Sequence, residues 1–274
     1  MISAHALSST PGGSVWDVSC SGHCQHKSAE ECARGTHLVF PYRGVFLRHV
    51  GRDDAVADAN QVLFFNDGQD YRISHPVSGG DACLSLAISP PLLLELAPTA
   101  LLHDRAVPTF KHQHQRIDAR AQVLVALLRP ALRNHIADAL EADILTLTLV
   151  RRALGLRTTR GLPVSTGRQR LVDRVKLVLT ADPGRRWTLA DIATETGGSP
   201  VYLTQVFQQV EGMPLYRYQT QLRLARALDL IDRYDDLTTL GLDLGFSSHS
   251  HFSAAFRRAY GRTPSQFKQA ALHR

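Results

Sequence analysis

The spacing of hydrophobic positions changes along this chain, and the changes mark its organisation. Between about residues 36 and 90 the apolar positions come in short alternating or continuous runs. Val45, Leu47 and His49 alternate with Phe46, Arg48 and Val50. Asp53-Asp54 is expected to turn the chain there. Val62 to Phe65 form a continuous apolar run stopped by Asp67-Gly68, and Cys83 to Ile88 form another after Gly79-Gly80. Short strands separated by Gly and Asp turns predict an all-β sandwich or barrel. Pro90-Pro91 ends it, and the leucine-rich stretch that follows starts a helix.

From residue 117 the period becomes helical. Ile117, Val123, Leu124, Leu127 and Leu128 repeat until Pro130, which is expected to interrupt them; Leu132, Ile136, Leu140, Ile144, Leu147 and Val150 continue the pattern. Two helices with so much apolar face need cover, partly from the β region and partly, it is expected, from a second copy of the chain. Arg157 to Arg168 then reads RTTRGLPVSTGR, a linker composition. The expected organisation is an α+β multidomain chain. Residues 1–157 form a β-sandwich or barrel followed by two helices, residues 158–168 a linker, and residues 169–274 an all-α domain.

The all-α part repeats itself. Thr188 is a candidate N-cap, Leu189, Ile192 and Ala193 share a face, and Gly197 is a candidate stop. Ser199 then caps a helix with Pro200 in its first turn. That helix buries Leu203, Val206 and Phe207, exposes Val201, Tyr202, Thr204, Gln205 and Gln208, and ends at Gly212 and Pro214. About fifty residues later Leu237, Leu240, Gly241, Gly245, Phe252, Phe256, Gly261 and Pro264 take the matching places. Helix, glycine turn, helix is the pattern whose second helix enters a DNA major groove. A long helix joins the repeats, at about 215–233, with Leu222, Leu224, Ala225, Leu228 and Ile231 inward and Arg223 and Arg226 off that stripe. Its length of roughly 25–30 Å approaches the ~34 Å of one DNA turn.

Charge agrees with this division. Residues 1–159 carry 15 Lys+Arg against 15 Asp+Glu, and residues 160–274 carry 16 against 10, which is the whole net charge of +6. The basic half is expected to face a polyanion. With 44% hydrophobic and 20% charged residues the composition is that of a soluble globular protein. No apolar run is long enough for a membrane span and no secretory signal is evident, so a cytoplasmic location without membrane contact is expected.

The stretches RYQTQLRLARALDLI and GFSSHSHFSAAFRRAYGRTPSQF, with the LADIA unit and its following helix, resemble the DNA-binding domain of AraC/XylS-type transcriptional regulators over about Leu171 to Gln269. More loosely, FPYRGVFLRHV and ADANQVLFFNDGQDYRISHP resemble the cupin-like sensor domain of that family. The resemblance implies a homodimer bound to double-stranded DNA, contacting RNA polymerase if it is an activator, and controlled by a small-molecule or metal effector. By position it implies base contacts from Val201, Thr204 and Gln205 in the first reader and Ser250 and His251 in the second. Gln pairs with adenine, and Val and Thr methyls suit a thymine methyl. Ser199, Ser247, Ser248, Arg223, Arg226, Arg257, Arg258 and Arg262 are the implied phosphate contacts. Ala254 and Asp243 depart from the family pattern, and they lower the affinity or change the base preference expected of the second reader.

The N-terminal part holds separate chemistry. CSGHCQHKSAEEC, Cys20 to Cys32, concentrates thiols and imidazoles, and Cys83 follows a strand beginning near His75. Cys20, His23, His75 and Cys83 are the expected tetrad for zinc or another thiophilic metal, with Cys24, His26 and Cys32 as rivals. The competing reading makes Cys83 a small core residue and places an organic effector in the barrel. No metal-binding cupin triad or nucleophile elbow is present, so an enzyme is not expected. The remaining alternative to a DNA-binding regulator is a metal- or thiol-redox-binding cupin-like protein whose helical tail is an interaction module.

Overall fold

The computed structural model describes residues 2–10, 12–22, 25–103, 107–155 and 165–272. The chain divides into two compact units, Met1–Leu156 and Arg157–Arg274. Most of the expected linker lies outside the described residues, and its end is helical from Thr166.

Among the described residues the N-terminal unit has ten strands: β1 (Ile2–Thr10), β2 (Gly13–Cys20), β3 (Glu31–Cys32), β4 (Thr36–Arg43), β5 (Phe46–Val50), β6 (Asp53–Ala57), β7 (Gln61–Phe65), β8 (Asp70–Ser74), β9 (Asp81–Ile88) and β10 (His114–Arg116). They form one sheet in the order β1-β2-β9-β4-β7-β10 and another in the order β3-β8-β5-β6. Successive residues of a strand point to opposite faces. Leu38, Phe40, Val62, Phe64, Leu84 and Leu86 therefore cluster with Leu93, Val125, Leu128, Leu149 and Val150 of the helices α1 (Pro90–Leu96), α2 (Ala119–Arg133) and α3 (Ala139–Gly155). Val39, Leu63, Phe65 and Cys83 pack instead with Phe46 and Ala57 of the smaller sheet. The middle of the larger sheet, at β9, β4 and β7, is covered on both faces, and this is why β7 reads as an unbroken apolar run. The sandwich followed by helices is the α+β arrangement expected.

Several details differ from the sequence expectations. Sheet structure begins at Ile2 rather than near residue 36; β1 is mostly exposed, so its sequence carries no hydrophobic pattern. The turn after β5 is Gly51-Arg52, with Gly51 at φ 57°, while Asp53-Asp54 opens β6. Pro130 lies inside α2 and does not interrupt it. It removes one backbone bond, but Ala131 and Leu132 beyond it stay buried and hold the last turn. Ile117 precedes that helix, whose N-cap is Asp118. Leu140 and Ile144 are 69% and 54% exposed, because α3 turns Ala142, Leu149, Val150 and Ala153 inward in their place, and Ile136, 43% exposed, lies in the connection before that helix.

Arg48 is wholly buried between the sheets. Its guanidinium lies 3.8 Å above the Phe65 ring and donates to the Phe64 carbonyl and to Gln69 Oε1, each at 2.7 Å. Burial pushes it down to about 10 from the usual arginine value.

The C-terminal unit is helical: α4 (Thr166–Ala181), α5 (Leu189–Thr196), α6 (Pro200–Glu211), α7 (Leu215–Leu230), α8 (Leu237–Asp243), α9 (His249–Tyr260) and α10 (Pro264–Leu272).

Candidate nucleic-acid interface

Both repeats use short side chains to start their second helix. Ser199 Oγ accepts from the Tyr202 amide at the head of α6, and Ser248 Oγ accepts from the His251 amide at the head of α9. Both helices end on a left-handed glycine, Gly212 at φ 64° and Gly261 at φ 76°. Aligned on these caps, α6 and α9 are counterparts at a constant offset. Each buries one stripe: Leu203, Val206 and Phe207 in α6, Phe252 and Phe256 in α9. The scaffold helices are capped as well. Thr188 and Asp191 form a capping box on α5, and Asp236 accepts from the Thr238 and Thr239 amides on α8.

The outward face of α6 carries Val201, 67% exposed, with Tyr202, Thr204, Gln205 and Gln208. Thr204 Oγ1 donates to the Pro200 carbonyl at 2.9 Å, which holds the hydroxyl against the helix. On α9 the cap alignment puts Ser250 opposite Val201, Ser253 opposite Thr204 and Ala254 opposite Gln205. Ser250 and Ala254 are exposed and Ser253 is half-buried. The sequence reading passed over Ser253; counting from the two serine caps identifies it. His251 matches Tyr202 and is half-buried. It stands edge-on to Phe246 at 5.4 Å, with Nδ1 3.0 Å from Ser247 Oγ and Nε2 3.4 Å from Tyr216 Oη. It is therefore tied into the joint between α7 and α9 rather than projecting freely.

Arg223 leaves the phosphate set. It is buried, and it donates to the carbonyls of Pro183, Arg185 and Gly245 at 2.9, 2.7 and 3.1 Å. The reason lies in α7, where Tyr218, Leu222, Leu224, Ala225, Ala227 and Leu228 are all buried. A residue off the leucine stripe of this helix still points into protein. Burial lowers the Arg223 guanidinium from its ordinary value. Arg226 is engaged with Asp229 at 2.5 Å. Arg257, Arg258 and Arg262 are exposed, as are Ser199, Ser247 and Ser248. Asp243 accepts from the Tyr234 hydroxyl at 2.9 Å. Leu189, expected inward, is exposed, and α5 buries Ile192, Ala193 and Thr196.

A buried ion pair missed in the sequence fixes α6. Lys176 of α4 meets Glu211, the last residue of α6, at 2.5 Å. The two lie 35 positions apart in the chain, so no local pattern could pair them.

The expected metal tetrad does not assemble. Cys20, at the end of β2, is half-buried, and His75, just after β8, is buried. Cys83 lies in the core between the sheets, and burial pushes its thiol far up. The cross-strand partner of Cys20 is Asp81; Cys83 sits two residues farther along β9, about 6–7 Å away. Cys32 is exposed on β3, and His23 and Cys24 lie outside the described residues. Among the described residues no helix is long and apolar enough to cross a membrane.

Two capped reader helices, each packed on a scaffold helix and joined by α7, define a double helix-turn-helix DNA-binding unit. Residues 192–270 match the helix-turn-helix domain family. The transcriptional activator RhaR of Klebsiella pneumoniae is 33% identical over 142 residues, 52% of this chain and 49% of that protein, so the chain spans about half the length of this relative. The probable transcriptional regulator LumQ of Photobacterium leiognathi is 27% identical over 246 residues, 85% of this chain and 92% of that protein. A solved DNA-binding transcriptional dual regulator from Escherichia coli K-12 is 30% identical over 38% of this chain and 94% of that one, with a TM-score of 0.36. Residues 192–270 therefore carry a helix-turn-helix domain of the AraC type, and the proteins this chain is similar to are transcriptional regulators.

Proposed function

We propose that one chain reads two successive major-groove segments of a DNA duplex, α6 in one and α9 in the next, under control of a signal sensed by the N-terminal unit. The observation that carries this reading is the matched pair of serine-capped, glycine-stopped helices with polar outward faces. Val201, Thr204 and Gln205 read base edges from α6, and Ser250 and Ser253 read them from α9. His251 orients the start of α9. Ser199, Ser247, Ser248, Arg257, Arg258 and Arg262 hold phosphates and set the register without specifying sequence. Ala254 stands where α6 has Gln205, so the second reader discriminates less than the first.

Selection of bound duplexes from a random pool, followed by single-base variants of the winner, tests this reading. Gln205→Ala lowers affinity for the selected duplex by about 1–3 kcal/mol and flattens the preference at one base position. Equal weakening on every sequence would remove Gln205 from the base-reading set.

The chain acts as a homodimer in the cytoplasm, and contacts RNA polymerase where it activates. Support for the dimer comes from the exposed apolar residues Ile136, Leu140 and Ile144. Leu140→Glu with Ile144→Glu converts the dimer to monomers in sedimentation without lowering thermal stability. A variant that remains dimeric would place the interface elsewhere.

A further inference from the structure

Cys20, His75 and Asp81 meet at one edge of the sandwich. Cys20 ends β2, Asp81 opens β9 as its cross-strand partner, and His75 stands at the far end of the connection between β8 and β9. One potential ligand atom from each lies within 4.8 Å of the other two: the thiol sulfur, a ring nitrogen and a carboxylate oxygen. His75 Nε2 is 2.7 Å from Asp81 Oδ2. His75 and Asp81 are each only 6% exposed, and the buried His75 Nδ1 has no hydrogen-bond partner among the described residues. Asp81 Oδ2, which faces His75 Nε2, is likewise buried with no hydrogen-bond partner among the described residues, and a buried carboxylate oxygen so placed requires an explanation.

The backbone is shaped to make this meeting possible. A Cβ on Gly80 would lie 2.3 Å from the Cys20 carbonyl oxygen, and one on Gly22 would lie 2.5 Å from Gly80 Cα. Both glycines have left-handed φ, +71° and +67°. Only glycine lets the 76–80 connection press onto the end of β2 and bring His75 and Asp81 beside Cys20.

Thiolate, imidazole and carboxylate together suit zinc. A soft sulfur ligand disfavours calcium and magnesium, which take oxygen ligands. Three protein ligands leave a fourth tetrahedral position open. Tetrahedral bonds of about 2.0–2.3 Å put ligand atoms roughly 3.3–3.7 Å apart, so the Cys20 sulfur closes on the pair while His75 Nε2 and Asp81 Oδ2, 2.7 Å apart, separate slightly to exchange their direct contact for two bonds to the metal.

We propose that Cys20, His75 and Asp81 form a three-ligand zinc site with one position open to water or an exogenous ligand, and that its occupancy is the signal the N-terminal unit senses. The site rests on its own geometry; its role as the signal rests on the DNA-reading function above.

The test uses the full chain, stripped with chelator under reducing conditions. Zn2+ is titrated against a chromophoric competitor, and Co2+ is followed by its sulfur-to-metal charge-transfer absorption. One metal per chain is expected. Cys20→Ser abolishes the Co2+ band, and Asp81→Asn weakens Zn2+ binding more than about tenfold. Cys32→Ser changes neither. Cys20→Ser is nearly isosteric at a half-buried position. If its circular dichroism departs from that of the parent, Asp81→Asn, which keeps a polar group facing His75, decides the question. No stoichiometric metal, or full affinity in a folded Cys20→Ser or Asp81→Asn variant, overturns the site. Zinc-loaded and stripped protein are then compared on the selected duplex, with at least a fivefold difference in affinity expected. Equal affinity overturns the signal role while leaving the site. Failure of both forms to bind any duplex counts against the DNA-reading function and, with it, the signal role, and leaves the metal titration standing.

Discussion

Replacing Lys176 with alanine lowers the stability of the C-terminal unit by about 3–5 kcal/mol. The Lys176 side chain is 1% exposed and its partner Glu211 7% exposed, with 2.5 Å between the charged atoms. Lys176 Nζ also lies 5.7 Å from the centre of the Tyr218 ring. Two charges taken out of water are tolerable as a pair, because each replaces part of the hydration the other has lost. Removing one strands the other inside the protein. Glu211→Ala should cost a similar amount for the same reason. The double replacement Lys176→Met/Glu211→Leu should recover most of the loss, since neither charge is then buried. Because Glu211 closes α6, both single variants also lose specific DNA binding as the reader shifts on α4. Urea unfolding of the singles and the double checks this; a single-variant loss below about 1 kcal/mol would place the pair in effectively solvated surroundings.

Gly245→Val is the second large effect, at about 2–5 kcal/mol. Gly245 turns the chain between α8 and α9 at φ +79°, a conformation that a β-branched residue resists. Its surroundings are also closed. A Cβ there would lie 2.4 Å from the Gly184 carbonyl oxygen and 2.7 Å from Arg223 Nη2. Arg223 cannot yield without releasing the Pro183 and Arg185 carbonyls, and these belong to the connection leading into the first repeat. The substitution therefore disturbs the joint between both repeats. Gly261→Val is the control. It has nearly the same φ, +76°, but nothing within 4 Å of the added Cβ, so it bears backbone strain alone. Thermal unfolding should show the larger drop for Gly245→Val. Equal drops would mean that the crowding at Gly184 and Arg223 relaxes freely.

The double reader was legible in the sequence because its signals are local. Caps at Thr188 and Ser199, stops at Gly212 and Gly261, and the Phe252–Phe256 stripe each depend on residues a turn or two apart. The β-rich unit was legible where strands are covered on both faces, as in β7. It was hidden in β1, whose exposed residues have no apolar alternation. What the sequence could not show depends on distant pairing. Arg223 reads as a surface cation until the turn it clamps is seen. Lys176 and Glu211 are ordinary charges on two separate helices. Asp81 displaced Cys83 as the neighbour of Cys20 because strand register, set by the β2–β9 ladder, cannot be counted from spacing alone. Pro130 misled in the other direction, since burial of Ala131 and Leu132 outweighs one missing backbone bond.

On the proposed reading, one C-terminal unit reads two segments of the same duplex face. The most direct measurement is affinity for the selected duplex against a version with five base pairs inserted between the two contacted segments. Half a helical turn carries the second segment to the opposite face, out of reach of α9 while α6 is seated. A loss of at least about tenfold is expected, together with a shallower dependence of affinity on salt as phosphate contacts are given up. Unchanged affinity and an unchanged salt slope would contradict that reading, and would mean that a single helix carries the recognition.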